Sequence, residues 1–201
     1  MESALSLQSS NGGVWNLYTD GVKSKLLRVG SGNTTLNLYG QDVLRNLPCI
    51  SFDENTGGVL RMNVSADNSF STFEFNSKGV IELAIAEGAS LKIEKLTTKN
   101  GVKSISNAEI VFYDYNADAF LLEDSTLTAE DDRLYIPSVD SYIKLTAYDE
   151  AGNLLVGDWV YDWSEELGVG KLVLNAVPEP EAAAELLGVL ALALAARRKK
   201  K

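Results

Sequence analysis

Short runs in which polar and apolar residues alternate recur along most of this chain, and they limit the folds open to it. Alternation with a period of two places apolar side chains on one face of a strand and polar ones on the other. No stretch before residue 177 shows the 3.6-residue apolar period of an amphipathic helix. The sequence therefore predicts an all-β body, with strands at 34–39, 59–64, 70–75, 80–86, 91–94, 109–115, 133–136, 142–148, 154–161 and 171–174.

Two arrangements of these strands fit the pattern. The pairs Gly58-Val59, Gly79-Val80 and Gly101-Val102 recur at spacings of 21 and 22 residues, a length typical of one coil of a β-solenoid. Turn residues every 8–12 positions also fit an antiparallel β-sandwich. We expect a solenoid-like part up to about residue 119, which resembles the repetitive β regions of bacterial surface proteins, and an antiparallel closing unit over 120–176. Residues 149–153 predict a hairpin between two alternating runs.

Composition excludes several classes of function. The chain of 201 residues carries 28 acidic and 18 basic side chains, a net charge of −10, which argues against a nucleic-acid partner. It contains no histidine and one cysteine, Cys49. Catalytic triads with histidine, His-ligated metals and an intramolecular disulfide are therefore excluded. We expect no cofactor, no bound metal and no enzymatic activity, and we interpret Cys49 as a small core residue on a strand.

The last 25 residues differ from the body in composition. The segment Val177, Pro178, Glu179 and Pro180 interrupts any strand or helix, because both prolines lack a backbone donor. Residues 186–196 contain no polar side chain, and they predict a single hydrophobic C-terminal helix. Its large apolar side chains are Leu186, Leu187, Val189, Leu190, Leu192 and Leu194. Five basic residues end the chain: Arg197, Arg198, Lys199, Lys200 and Lys201.

A Pro-Glu-Pro segment, an apolar helix and a basic end, in this order, resemble the PEP-CTERM tail of bacterial envelope proteins. The resemblance is confined to residues 177–201. It implies that an exosortase-like enzyme recognises 177–180 and processes the tail, and that the helix is a transient anchor in the inner membrane. It also implies that the basic residues 197–201 stay on the cytoplasmic side. Export would need an apolar leader, which residues 1–8 do not provide, so we expect one upstream of Met1.

The net charge then divides into two parts. Residues 177–201 carry five basic and three acidic side chains, so their charge is +2 and that of residues 1–176 is −12. We interpret the acidic part as a body that meets solvent at the cell surface or in the secreted matrix of a Gram-negative-type bacterium. We interpret the basic end as the signal that sets the orientation of the C-terminal helix in the membrane.

One row of aromatic residues in the body suggests a ligand. Trp159, Tyr161 and Trp163 occupy alternate positions, so on a strand they share one face. Such a row could stack sugar rings of an extracellular polysaccharide. Acidic residues at 114, 118, 123–124 and 130–132 suggest either calcium binding or a solvated surface, and paired acids could serve glycoside hydrolysis.

The sequence favours an exported, non-catalytic surface or matrix protein. The first alternative is a glycan-binding β module that uses the aromatic row. The second, less favoured, is a carboxylate-based glycoside hydrolase.

Overall fold

The computed structural model describes residues 6–9, 11–19, 26–53, 57–98 and 107–176. Within these residues the chain is all-β and forms no α-helix. The strands are β1 (Ser6–Ser9), β2 (Gly13–Leu17), β3 (Leu26–Val29), β4 (Asn33–Leu38), β5 (Cys49–Phe52), β6 (Val59–Val64), β7 (Asn68–Phe75), β8 (Val80–Ile85), β9 (Leu91–Thr98), β10 (Glu109–Tyr113), β11 (Phe120–Leu122), β12 (Thr128–Glu130), β13 (Arg133–Ile136), β14 (Ser141–Tyr148), β15 (Leu154–Leu155), β16 (Gly157–Ser164) and β17 (Val169–Ala176). A 3-10 turn spans Pro137–Val139. The predicted C-terminal helix and the whole of 177–201 lie outside the described residues.

The strands form two sheets in a β-solenoid-like arrangement. The β1 sheet has the order β1-β3-β5-β7-β9-β11-β17-β16, and the β2 sheet has the order β12-β13-β14-β10-β8-β6-β4-β2. Successive strands of the chain therefore alternate between the sheets, from β1 as far as β12. In the coils each strand pairs in parallel with the strand one coil later, as β4 does with β6 and β5 with β7.

The core lies between the two sheets. On β4, the inward residues Thr34, Leu36 and Leu38 are buried, and Asn33, Thr35 and Asn37 point outward. The same alternation on the facing strands of the β1 sheet buries an aromatic cluster. Its largest members are Phe52, Phe73 and Phe75, all fully buried. The alternation that predicted the strands is therefore also the alternation of buried and outward residues along them.

The coils have unequal lengths, which corrects one prediction. The 21-residue offset is real at two places: Asn16 bonds Asn37 and Arg61 bonds Glu82. Asn37 and Asn63, however, lie 26 residues apart. The partner of Val80 on the next coil is Glu109 and not Val102, which lies outside the described residues. The third Gly-Val pair therefore does not mark the next coil.

The C-terminal part adds antiparallel strands to both sheets. Parallel pairing continues beyond residue 119, because β11 pairs in parallel with β9 and β14 with β10. On the β1 sheet, β17 then pairs antiparallel with β11 and with β16. On the β2 sheet, β13 pairs antiparallel with β14 and with β12. The backbone N–H of Trp159 on β16 donates to the carbonyl of Asp131, 2.9 Å away, and so joins the two sheets at this end.

The run at 154–161 is not a single strand. Leu154–Leu155 forms β15, which makes the predicted hairpin with β14. The chain then changes sheets at Val156, and Gly157–Ser164 forms β16. Val156 is exposed, as suits a crossing between two sheets.

Among the residues described, we find no helix with the length and apolar character needed to span a membrane.

Candidate functional site

The aromatic row on β16 points into the protein, which overturns its predicted role as a stacking platform. Trp159 is only 3% exposed. Its ring packs against Phe112 and Tyr115, with ring centroids 5.6 and 5.2 Å apart. Tyr161 and Trp163 share this inward face and are half-buried. Trp159 therefore belongs to the core and its ring is not presented to a sugar, and Tyr161 packs against the same core.

Tyr161 has a structural role. Its hydroxyl donates to the carbonyl of Asp124, at 2.8 Å, and lies 3.2 Å from the carbonyl of Leu122. Its ring rests on Gly170, where an added Cβ would lie 2.2 Å from the ring. Burial, and secondarily the Asp124 carboxylate, raise the pKa of Tyr161 well above its ordinary value. Burial likewise raises the pKa of Tyr115, whose hydroxyl donates to the carbonyl of Leu172, 2.5 Å away.

The acidic residues singled out in the sequence are spread over the surface. Glu123 pairs with Lys92 at 2.7 Å, and Asp118 pairs with Lys171. Asp124 accepts a hydrogen bond from the backbone N–H of Thr126, at 3.0 Å. Across the described ranges, no three Asp, Glu or Cys side chains lie close enough together to hold a metal ion.

Cys49 is the first residue of β5 and is half-buried. This corrects its interpretation as a core residue. The inward residues of that strand are Ile50 and Phe52, and both are fully buried.

A groove of about 790 Å³ lies beside the turns that follow β8, β10 and β14. Its carboxylates belong to Glu87, Asp114, Asp149 and Glu150. Hydrogen bonds from the side chain and backbone of Asn153 lower the pKa of Asp149. The turns of three successive coils therefore give this side of the solenoid a negative potential.

The outer face of the β2 sheet carries a ladder of asparagines. The Asn37 amide donates to Asn16, and the Asn63 amide donates to Asn37, each at 2.7 Å. The register then places Ala84 and Tyr113 beside Asn63 on the next two strands. Tyr148 follows on β14, because its neighbour Ala147 pairs with Phe112. One row of side chains therefore crosses six strands, a distance of about 24 Å at the usual strand separation.

Three tyrosine pairs lie on this face or directly beyond its strands. Tyr113 and Tyr148 stack at 5.4 Å with ring planes 11° apart. Tyr18 and Tyr39, directly after β2 and β4, stack at 4.8 Å. Tyr135 and Tyr142 pack at 4.8 Å at the opposite ends of the strands. Six of the eight tyrosines in the chain therefore belong to one surface.

Arg61 lies against the tyrosine end of this row. Its guanidinium pairs with Glu82 at 2.6 Å and lies 5.8 Å from the centre of the Tyr113 ring. Space for it exists because Ala84 has only a methyl group between Asn63 and Tyr113. Burial and the Glu82 carboxylate raise the pKa of Tyr113, and Arg61 partly opposes them.

We define the tyrosine–asparagine row as Tyr18, Tyr39, Asn16, Asn37, Asn63, Tyr113 and Tyr148. Sequence reasoning missed it as a site. The signal was present, because Tyr39, Tyr113 and Tyr148 lie at or near the ends of alternating runs. The register that brings Tyr113 beside Tyr148 spans an offset of 35 residues, and no spacing in the sequence indicates that offset.

Comparison of the chain with protein-family models, with curated proteins and with solved structures gives no match.

Proposed function

We propose that this chain is a non-catalytic bacterial surface or extracellular-matrix protein. Its acidic β body would be delivered to the envelope by the tail at 177–201. The observation that carries the proposal is the ordered tail: Pro-Glu-Pro, then an apolar run, then five basic residues. An apolar helix with a basic end is held in a membrane with that end in the cytoplasm.

Two features of the body support this division. The last strand, β17, ends at Ala176, directly before Val177. The boundary between body and tail that the sequence predicts therefore coincides with the end of the last described strand. A chain with no histidine and a single cysteine also suits a protein that works outside the cell without redox or metal chemistry.

Fractionation of the producing bacterium tests the sorting. The chain, with its natural upstream sequence and a tag in the body, is expected to reach the envelope and to lose about 25 residues. A Pro178→Ala/Glu179→Ala/Pro180→Ala variant should keep its full length and stay in the inner membrane. Glu165→Ala/Glu166→Ala, in an exposed turn of the body, is the control and should behave as wild type. A wild-type precursor that stays cytosolic and uncleaved overturns the proposal.

A second candidate function is glycan binding, now favoured by the outer face of the β2 sheet instead of by β16. The tyrosine–asparagine row is the specific observation behind it.

A further inference from the structure

The two outer faces of the solenoid differ in chemistry. From β3 onward, the outward residues of the β1 sheet are small, polar, charged or aliphatic, and none of those whose side chains the structure describes is aromatic. Examples are Arg28, Thr72, Glu74 and Lys95. The β2 sheet instead presents tyrosines and amides. An aromatic surface confined to one face of a symmetric two-sheet body is a candidate ligand surface.

The row has the shape of a linear ligand. It follows the solenoid axis across six strands, and its members recur at the strand separation of about 4.8 Å. Tyr18 and Tyr39 at one end are 63% and 48% exposed. These tyrosines lie two residues beyond Asn16 and Asn37 on the same two coils, so a polymer along the axis can contact the open aromatic pair beside the amides.

The charges on this face are already paired within it. Arg61 bonds Glu82 at 2.6 Å, and Lys144 bonds Glu109 at 3.1 Å. Thr146 also donates to Glu109, at 2.6 Å. The face is therefore close to neutral although the chain as a whole carries −10. The row therefore offers a polyanion no unpaired cation on its described strands. The acidic turns after β10 and β14 lie directly beyond Tyr113 and Tyr148, and chitosan tests whether they attract a polycation.

The groups that this face can offer a ligand are therefore uncharged hydrogen-bonding groups beside aromatic rings. Each Asn amide keeps at least one N–H donor and one oxygen lone pair beyond those used in the ladder. Tyrosine combines an apolar ring with a hydroxyl at its tip. Such groups complement a sugar, which has apolar C–H faces and many hydroxyls.

We propose that the tyrosine–asparagine row binds a neutral polysaccharide laid along the solenoid axis. The exposed Tyr18–Tyr39 pair supplies the aromatic contact. Asn37 and Asn63 supply hydrogen bonds to hydroxyls. Arg61 positions the Tyr113–Tyr148 pair, which extends the surface to the fifth and sixth strands. This ligand goes beyond the proposed sorting and does not depend on the tail.

Depletion binding with the purified full chain tests the proposal. The probes are cellulose, a β-1,3-glucan, mannan and xylan, with polygalacturonate as the anionic comparison and chitosan as the cationic one. At least one neutral polymer is expected to bind, and its binding should change little with salt. A Tyr18→Ser/Tyr39→Ser variant should bind that polymer at least tenfold more weakly.

Tyr135→Ser/Tyr142→Ser is the matched control. It makes the same change in a tyrosine pair with the same 4.8 Å centroid separation, on the same face but off the row, and should keep wild-type affinity. Thermal unfolding of both variants checks that they fold. Protection of wild-type tyrosines from nitration gives a readout that needs no variant: the polymer should protect Tyr18 and Tyr39 but not Tyr142.

Three results overturn the proposal: no neutral polymer binds, only a charged polymer binds, or both double variants lose affinity equally. Protection of Tyr142 in place of Tyr18 would also overturn it. None of these results bears on the sorting proposal, which fractionation tests separately by following cleavage of the tail.

Discussion

The parallel coils and the closing segment (residues 120–176) satisfy their polar groups in different ways. In the coils, like side chains on successive strands bond each other, as Asn37 does with Asn16 and Asn63. In the closing segment, single tyrosine hydroxyls bond distant backbone groups. Tyr161 reaches Asp124, and Tyr115, just before the segment, reaches Leu172 within it, 57 residues on. When one repeated contact is lost, equivalent contacts on neighbouring coils remain, whereas nothing replaces a contact that occurs once.

This difference suggests that the coils depend mainly on their buried rows, and the closing segment on a few specific contacts. Each prediction below perturbs one of these two kinds of interaction. If matched substitutions destabilise the coils and the closing segment equally, the two regions do not differ in this way.

The largest effect is expected from Phe73→Ala in the coils. Phe73 is fully buried, and its ring centroid lies 4.9 Å from that of Phe75 and 5.8 Å from that of Phe52. Truncation removes a buried ring and leaves a cavity, so the free energy of unfolding should fall by about 3–5 kcal/mol. Urea denaturation measures this loss, and Phe73→Leu should cost less. A loss under about 1 kcal/mol would show that the phenylalanine cluster does not stabilise the coils.

A smaller effect is expected from Gly170→Ala in the closing segment. The added methyl group would lie 2.2 Å from the Tyr161 ring, which is held by its bond to the Asp124 carbonyl. The ring has to shift, and overpacking of this kind costs about 1–3 kcal/mol. Gly57→Ala is the matched control, because no atom lies within 4 Å of its added methyl. It should change stability by less than about 0.5 kcal/mol. Equal losses in both variants would show that the Tyr161 ring moves at no cost.

The sequence predicted the class of the fold because the core needs only a period of two. Inward rows such as Leu36 and Leu38 on β4 are visible as alternation, although β7 and β9 each place two successive residues outside the core. The sequence predicted the coil spacing correctly only where two coils have equal length. Between Glu109 and Lys144 the chain leaves the β2 sheet to form β11 and returns for β12 and β13, so the offset grows to 35 residues.

The sites were harder to predict for the same reason. Alternation says that Trp159, Tyr161 and Trp163 share a face, but not whether that face is inner or outer. A strand at the end of a sheet with Asp158, Val160 and Asp162 on its other side is compatible with either orientation. The burial of Trp159 against Phe112 depends on contacts between the two sheets, and these have no local signature.

The hydroxyl of Tyr161 should contribute about 1 kcal/mol at neutral pH, so Tyr161→Phe should be less stable than wild type by that amount. Above about pH 10, the ordinary tyrosine pKa, the difference should shrink. The folded protein holds the proton more tightly than the unfolded chain, because burial raises the pKa of Tyr161. Stability therefore falls as pH rises from that point.

Urea denaturation at pH 8 and at pH 11 measures this change. Tyr115→Phe should show the same behaviour, because burial raises the pKa of Tyr115 too. The prediction is wrong if the free energy of unfolding falls equally between pH 8 and pH 11 in wild type and in both variants. Folding would then not raise the pKa of either hydroxyl.

The smallest effect is expected from the asparagine ladder. Asn37 takes part in two side-chain hydrogen bonds and Asn16 in one. On the outer face each bond exchanges with water, so its net value is near the low end of the usual range, about 0.5 kcal/mol. Asn37→Ala should therefore lower the free energy of unfolding by about 1 kcal/mol, and Asn16→Ala by about half of that.

A double-mutant cycle between Asn37→Ala and Asn63→Ala separates the ladder from other effects of the substitutions. Positive coupling between the two positions is expected, because the bond between them is lost only once. If Asn37→Ala costs no more than Asn16→Ala, or if the cycle shows no coupling, the ladder does not stabilise the coils. The amides would then be kept for another purpose, and the same two variants in the depletion assay would show whether that purpose is the polysaccharide. A ladder that contributes little to stability but much to affinity would mark the outer face of the β2 sheet as a binding surface, and not as part of the scaffold.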